Sequence, residues 1–481
     1  MIRRWIILTF LLAIVVRFPL INGSFWLDEA AQVLESQRSF SEQLQIGYDF
    51  QPPLLHVIVW GLVRISTNEA FLRSVSLLAG VGSIFFTYLI AQTHAPKNSR
   101  VSLLVVALIT FSQFHIFYSQ ELRSYMLATF FGSVSWWLVV TQPFSLRVRS
   151  LFLAGVHLLG LYSMYVYPFL IISQLIFVLF STMKKKWYLI SILLSAIGFI
   201  PWLPSFLNQV REGTTLSATL SGWSQVVSLP QWKSLAMSFA KLITGQIPYD
   251  GLYALISGGM VLLFGFGLFL VLRTQKQLRL FFVCSAVLPV VLAWLVSFFV
   301  PVLAPKRVLF VLPFLFMMFA FLGKKFGRVS NGILGVFITL QVLVLFSYWS
   351  DTSLQREDWR TVSREIYEQY DPSETLLIFG FTDAFAPWRF YDQQQEVPFD
   401  EVAFSTIPIS AEEVQQLDQK VRAYQTIIIF DYLRDLTDPN RMIEKKLEQL
   451  GYIGEKSIPY QHIGFLRVYQ KIVYQANSRV E

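Results

Sequence analysis

Residues 5–30, WIILTFLLAIVVRFPLINGSFWLDEA, join an apolar run to two adjacent carboxylates, Asp28 and Glu29. Crossing the ~30 Å hydrocarbon core of a bilayer takes about 20 apolar residues in a helix, and the run from Trp5 to Ile21 comes close to that. It contains Arg17 and lacks a small-residue cleavage site, so it reads as an uncleaved first helix. Arg17, near its outer end, is expected to reach the interface by snorkelling. Ionisable groups in contact with lipid are costly, so the carboxylate pair belongs either to a solvated loop or to a water-filled cavity. The apolar neighbours Phe25, Trp26, Leu27, Ala30 and Ala31 favour the cavity.

The rest of the chain repeats the first half of this pattern. Of 481 residues, 54% are hydrophobic and 15% charged, against about 25% charged in soluble domains. Apolar runs recur at 5–21, 70–91, 101–118, 124–141, 150–166, 167–183, 188–204, 251–272, 280–300, 308–323 and 329–349. The predicted fold is therefore a polytopic α-helical membrane protein with about 11 transmembrane helices. Basic groups occur at Arg3-Arg4, Lys97 with Arg100, Arg147 with Arg149, Lys184-Lys185-Lys186, Arg273 to Arg279 and Lys324 to Arg328. If each run crosses once, all six fall on one side, which the positive-inside rule makes cytoplasmic. Residues 1–350 hold 25 Lys and Arg against 9 Asp and Glu, and those nine lie at or near the opposite face. The net charge of +8 thus reflects cytoplasmic loops and does not point to nucleic acid. Cys284 is the single cysteine, which excludes an internal disulfide and a cysteine metal cluster.

The charge scheme places 22–69 wholly outside, with Leu54 to Ile65 too short to span and suited to an interfacial helix. It also places outside the loop around Ser119–Arg123, a longer loop at 205–250, the Pro301–Arg307 turn and everything after Trp349. Residues 351–481 carry 14 basic and 22 acidic residues. There, Leu376–Phe379, Thr426–Phe430 and Phe465–Tyr469 read as strands. Asp358–Tyr370, Ala411–Tyr424 and Pro439–Leu450 read as helices. The organisation is a membrane domain, 1–350, and a small extracytoplasmic α/β domain, 351–481, with the N-terminus cytoplasmic.

Several polar stretches stand out in the outer segments. Gln51-Pro52-Pro53-Leu54 forbids helix through its prolines and either starts a helix or re-aims the chain. Glu121 and Arg123 lie in the short stretch Ser119-Gln120-Glu121-Leu122-Arg123-Ser124-Tyr125. They either pair with each other, or Arg123 holds a phosphate with its planar fork. Lys306-Arg307, after Pro301 and Pro305, is basic on the outer side; an anionic lipid-linked substrate explains it better than headgroup anchoring. Tyr162, Tyr165 and Tyr167 suit an aromatic belt at the interface. Asn22-Gly23-Ser24 matches a glycosylation sequon of a kind common by chance.

Taken in order, these stretches resemble the bacterial branch of the protein O-mannosyltransferase and aminoarabinose (lipid A) transferase superfamily, which are membrane glycosyltransferases of the GT-C type. The resemblance runs through Leu27-Asp28-Glu29-Ala30, Gln51-Pro52-Pro53-Leu54 and Asn68-Glu69-Ala70-Phe71-Leu72-Arg73-Ser74. It continues through Ser119–Tyr125, Leu161-Tyr162-Ser163-Met164-Tyr165, Pro201-Trp202-Leu203-Pro204, Arg307 with Pro313, and Glu357-Asp358-Trp359-Arg360. It implies inverting transfer of a sugar, in a hexosyl- or mannosyltransferase-like reaction, from a polyprenyl-phosphate carrier. The acceptor would be a protein, a glycolipid or an envelope polymer at the outer face of the plasma membrane. By this analogy Asp28 is the general base, with Glu29 beside it. Arg123, Arg307, Lys306 and Gln51 would serve the donor phosphate, and Glu121, Tyr125 and Tyr165 the sugar and acceptor side. Many relatives have His or Lys where this chain has Gln51, and His where it has Met164. Glutamine brings no charge and a thioether is a poor ligand for hard cations, so both changes speak against a bound divalent cation.

Two other classes fit the same topology: a lipid or polysaccharide transporter, and a GT-C-like envelope protein that is catalytically silent or transfers oligosaccharide. The first half shows no paired inverted repeats with interrupted helices of the transporter kind.

Overall fold

A computed structural model of the chain describes residues 2–45, 50–96, 99–219, 232–248, 251–273, 276–321, 327–382 and 385–472. Contacts divide the described residues into two compact units, one made of 2–22, 35–219 and 232–354, the other of 23–34 and 355–472. The short segment carrying Asp28 and Glu29 therefore belongs with the C-terminal residues.

The first unit is helical, and helix forms in each of the eleven apolar runs. Among the described residues, four helices are long and apolar enough to cross a membrane: Glu69–His94, Lys186–Thr215, Lys276–Val296 and Asn331–Ser350. Others, such as Arg4–Val15, Tyr125–Thr141 and Tyr167–Phe180, are apolar but shorter. Leu78, Leu193 and Phe346 stand exposed while Ser76, Ser83 and Thr87 are buried. That is the reverse of a water-soluble bundle and suits a lipid-facing surface.

Four expectations need correction. The run at 101–118 is two helices, Arg100–Thr110 and Gln113–Ser119, bent by 61°. Ser112 makes the break, its side chain accepting from the His115 N–H as an N-cap. The predicted loop at 205–250 is largely helical, at Leu203–Thr219 and Trp232–Thr244, with 220–231 outside the described residues. Pro201 and Pro204 did not stop the chain. Pro201 sits in the first positions of a 3-10 turn at Ile200–Trp202, where a missing N–H costs little. Arg17 does not snorkel: it is fully buried, donating to Ser119 Oγ at 3.2 Å, the Ala13 carbonyl at 2.6 Å and His115 Nδ1 at 2.8 Å. Of the tyrosines at 162–167, Tyr167 is fully buried rather than at a surface belt, and half-buried Tyr162 donates to the Gly198 carbonyl at 3.0 Å. The short helix expected there is present at Leu54–Leu62, entered through Pro53 and tied by the Leu54 N–H to the Tyr162 carbonyl at 3.0 Å.

The second unit is a five-stranded sheet with helices. Its strands are β1 (Thr375–Thr382), β2 (Asp400–Phe404), β3 (Thr426–Phe430), β4 (Tyr452–Tyr460) and β5 (Gly464–Lys471). The order is β2-β1-β3-β5-β4, parallel across β2-β1-β3 and antiparallel across β3-β5-β4. Ile378, Ile427, Ile429, Val421 and Leu447 are at or near full burial in its core. The helix predicted at 411–424 is two short ones, Ala411–Gln415 and Leu417–Val421. The one predicted from Pro439 begins later, at Met442, because Asp438 accepts from the N–H groups of Met442 at 2.8 Å and Ile443 at 3.1 Å.

Candidate functional site

In the helical unit the break after Thr110 sets the geometry. The helix Gln113–Ser119 packs against Glu69–His94 at Gly80, where a Cβ would collide with Ser119 Oγ. The chain then turns through Gln120–Ser124, held by Gln120 Nε2 donating to the Arg17 carbonyl at 2.9 Å and by Tyr348 donating to Gln120 Oε1 at 3.1 Å. Arg123, at 8% exposure, and Tyr125, at 7%, issue from this buried turn. Glu121 is buried with them.

Lys306 and Arg307 reach the same place from the 297–308 connection. Lys306 Nζ stands 5.4 Å from the centre of the Tyr125 ring. Arg307 is pinned by donating to the Pro301 carbonyl at 3.0 Å. Burial lowers the pKa of its guanidinium from the ordinary value, with Tyr125 opposing and the charge of Arg123 adding to the fall. Lys306 and Arg307 thus both meet Tyr125, and Arg307 also feels the charge of Arg123; cationic side chains of this kind suit a phosphate. Gln51 joins them, accepting from Ser124 Oγ at 2.9 Å.

From Gln51 a polar chain runs to Tyr165. Gln209 Nε2 donates to the Gln51 carbonyl at 3.5 Å, Tyr165 OH donates to Gln209 Oε1 at 2.6 Å, and Trp202 Nε1 donates to Tyr165 OH at 2.9 Å. Gln209 has little local signal in a segment that the charge pattern assigns to a loop; its signal is a polar residue on the buried face of a helix that continues past Pro204. Beside Tyr165 lies a cavity of about 340 Å³, lined by Leu161, Met164, Phe199, Ile200 and Phe206 among others. Met164, where many relatives of the resembled family have His, lines apolar space. Among the described residues no three His, Cys, Asp or Glu side chains come together as a metal site would need.

In the second unit, Asp28 and Glu29 open the helix Leu27–Gln37. Asp28 is half-buried and Glu29 fully buried. The segment before them is tied down at two residues: the Phe25 N–H donates to Tyr391 OH at 2.8 Å, and Ser24 Oγ donates to the same oxygen at 3.0 Å while accepting from the Arg360 N–H at 3.1 Å. The hydroxyl of the apparent sequon is thus committed to packing. Glu357 accepts from Trp359 Nε1 at 2.7 Å, from Tyr432 OH at 2.8 Å and from the Leu27 N–H. Burial raises the pKa of the Glu357 carboxyl above the ordinary carboxylate value; these three donors oppose the rise and the charge of Asp28 adds to it. Tyr432, buried beside the same two carboxylates, is raised as well. Neither Tyr391 nor Tyr432 carries a sequence signal, since their partners lie hundreds and tens of residues away.

The whole chain has the fold of ArnT from Cupriavidus metallidurans. The apo structure of that protein superposes with a TM-score of 0.55 at 12% identity, covering 97% of this chain and 98% of that one. Its structure bound to undecaprenyl phosphate gives a TM-score of 0.54 at 12% identity over 98% of each chain. The GT-C-type fold expected from the sequence is therefore the fold observed. No protein-family model matches the chain, and no curated protein matches it in sequence.

Proposed function

We propose that the protein is an inverting glycosyltransferase that moves a sugar from a polyprenyl-phosphate carrier to an acceptor at the outer face of the plasma membrane. The observation that carries this reading is the gathering of Arg123, Lys306 and Arg307 around Tyr125, with Gln51 alongside, in a chain with the fold of a protein solved with undecaprenyl phosphate bound. A lipid phosphate leaving group gains charge as the glycosidic bond breaks. Cations fixed in a partly dry setting stabilise that charge more than they stabilise the bound donor. The apolar cavity beside Tyr165 suits the polyprenyl chain.

In this reading Asp28 is the general base. The acceptor hydroxyl loses its proton as its oxygen bonds to the anomeric carbon, and a carboxylate placed within hydrogen-bond reach takes it. Glu29 supports Asp28, and Glu121, Tyr125 and Tyr165 contact sugar or acceptor. The cytoplasmic N-terminus and an extracytoplasmic α/β unit belong to the same proposal and follow from the basic loops.

The test is donor consumption by the purified full-length protein across a panel of polyprenyl-phosphate hexoses. One member of the panel should be turned over. Arg123→Lys keeps the charge but loses the bidentate fork, so donor affinity should fall about tenfold or more with acceptor KM little changed. No turnover of any donor, or unchanged donor affinity in the variant, contradicts the reading.

A further inference from the structure

The helix that begins at Leu27 has an unusual start. The Trp26 carbonyl accepts from the Glu29 N–H at 3.0 Å and the Ala30 N–H at 2.9 Å, which makes Trp26 the N-cap residue. An indole carries no acceptor, so the Trp26 side chain cannot itself cap the helix it opens. The Leu27 N–H is met instead by Glu357, 330 positions further along the chain. That carboxylate is itself immobilised. Trp359 and Tyr432 hold it from two sides, and the Trp359 ring packs against Phe385, Tyr432 and Phe430 with centroids 5.0, 5.6 and 5.7 Å away. A second anchor, Tyr391 on Ser24 and Phe25, fixes the approach to the helix, and the Phe25 ring meets Phe390 at 5.1 Å.

We infer that Glu357 is a positioning residue for Asp28: its carboxylate caps the helix that presents Asp28 and fastens that helix to the α/β unit. The inference rests on the reading of Asp28 as base. It gives the C-terminal unit a task in the reaction, which is to hold the acceptor-activating group still. Reaching a near-attack geometry depends on displacements of an ångström or less, so an uncapped first turn lowers turnover without changing how the donor is bound.

The experiment uses full-length protein in lipid nanodiscs, with hydrogen exchange over 25–30, binding of undecaprenyl phosphate, and kcat on the donor found in the panel. Glu357→Ala removes the acceptor of Leu27 and of the buried Trp359 and Tyr432; amide exchange over 25–30 should rise about tenfold or more and kcat fall by about ten- to a hundredfold. Undecaprenyl phosphate binding should move less than about twofold, because the phosphate contacts lie on other residues. Glu357→Gln keeps one accepting oxygen and should fall between wild type and Ala in both exchange and kcat; it decides the matter if the alanine variant does not fold. Unchanged exchange over 25–30 in the folded variants overturns the inference, as does a loss of undecaprenyl phosphate binding equal to the loss of kcat. If Asp28→Asn keeps wild-type turnover while Glu357→Ala still loosens 25–30, the base assignment fails and the cap stands.

Discussion

Each unit buries an arginine, and each handles the charge differently. In the helical unit Arg17 is fully enclosed, with a serine hydroxyl, a backbone carbonyl and a histidine nitrogen as its acceptors. In the α/β unit Arg434, at 8% exposure, meets Asp431 at 2.7 Å and also Glu444. Arg467 shares both acids, at 2.8 Å from Asp431 and 3.3 Å from Glu444. Arg17 is held by dipoles and Arg434 by counter-charge. A segment rich in apolar helices has few acids to spare, and a guanidinium there serves as a multi-pronged tie between helices. The α/β unit neutralises the charge locally and becomes dependent on every member of the network.

This contrast predicts an order of effects. Arg434→Met leaves Asp431 and Glu444 buried against one remaining arginine, and should cost the α/β unit about 3–5 kcal/mol in urea unfolding of the full-length protein. Arg17→Met removes a charge whose acceptors are neutral and strands no opposite charge, so its cost should be smaller, about 2 kcal/mol, read as the shift in thermal unfolding of the helical unit. A larger effect at Arg17 than at Arg434 would break the comparison. The smallest effect concerns Glu413. Burial opposes ionisation there, but hydrogen bonds from Ser405, Thr406 and Ser410 hold its pKa down, from 4.5 to about 2. A depressed carboxyl contributes stability above its unfolded value and loses it as pH falls through its folded one. The α/β unit should therefore weaken between about pH 4.5 and 2, and Glu413→Gln should flatten that part of the acid unfolding curve. An unchanged curve would remove Glu413 from the account.

The same two regions show what was legible in the sequence. Apolar runs of membrane length announce themselves over about 20 residues, and helix formed in all eleven. The burial of Arg17 did not show, because its partners His115 and Ser119 lie 98 and 102 positions away. In the α/β unit the three strands read from sequence, β1, β3 and β5, are the inner ones of the sheet. The two missed, β2 and β4, are its edges. β4 contains Gly454, Glu455, Lys456 and Pro459, and β2 opens on Asp400-Glu401. Charges and proline are what an edge tolerates, and they erase the pattern by which a strand is recognised.

At the site, the cationic residues and Gln51 were legible as single candidates, and their gathering around Tyr125 was not. The helix Leu203–Thr219 hid Gln209, and the Glu357 contact to Leu27 spans 330 positions of a 481-residue chain.

The most direct measurement is turnover by Asp28→Asn on the donor and acceptor that the wild-type protein uses, in a variant shown to bind undecaprenyl phosphate normally. Asparagine keeps the shape and the hydrogen bonding but takes no proton, so kcat should fall by about a hundredfold or more. A kcat within about twofold of wild type would contradict the assignment of Asp28 as the base.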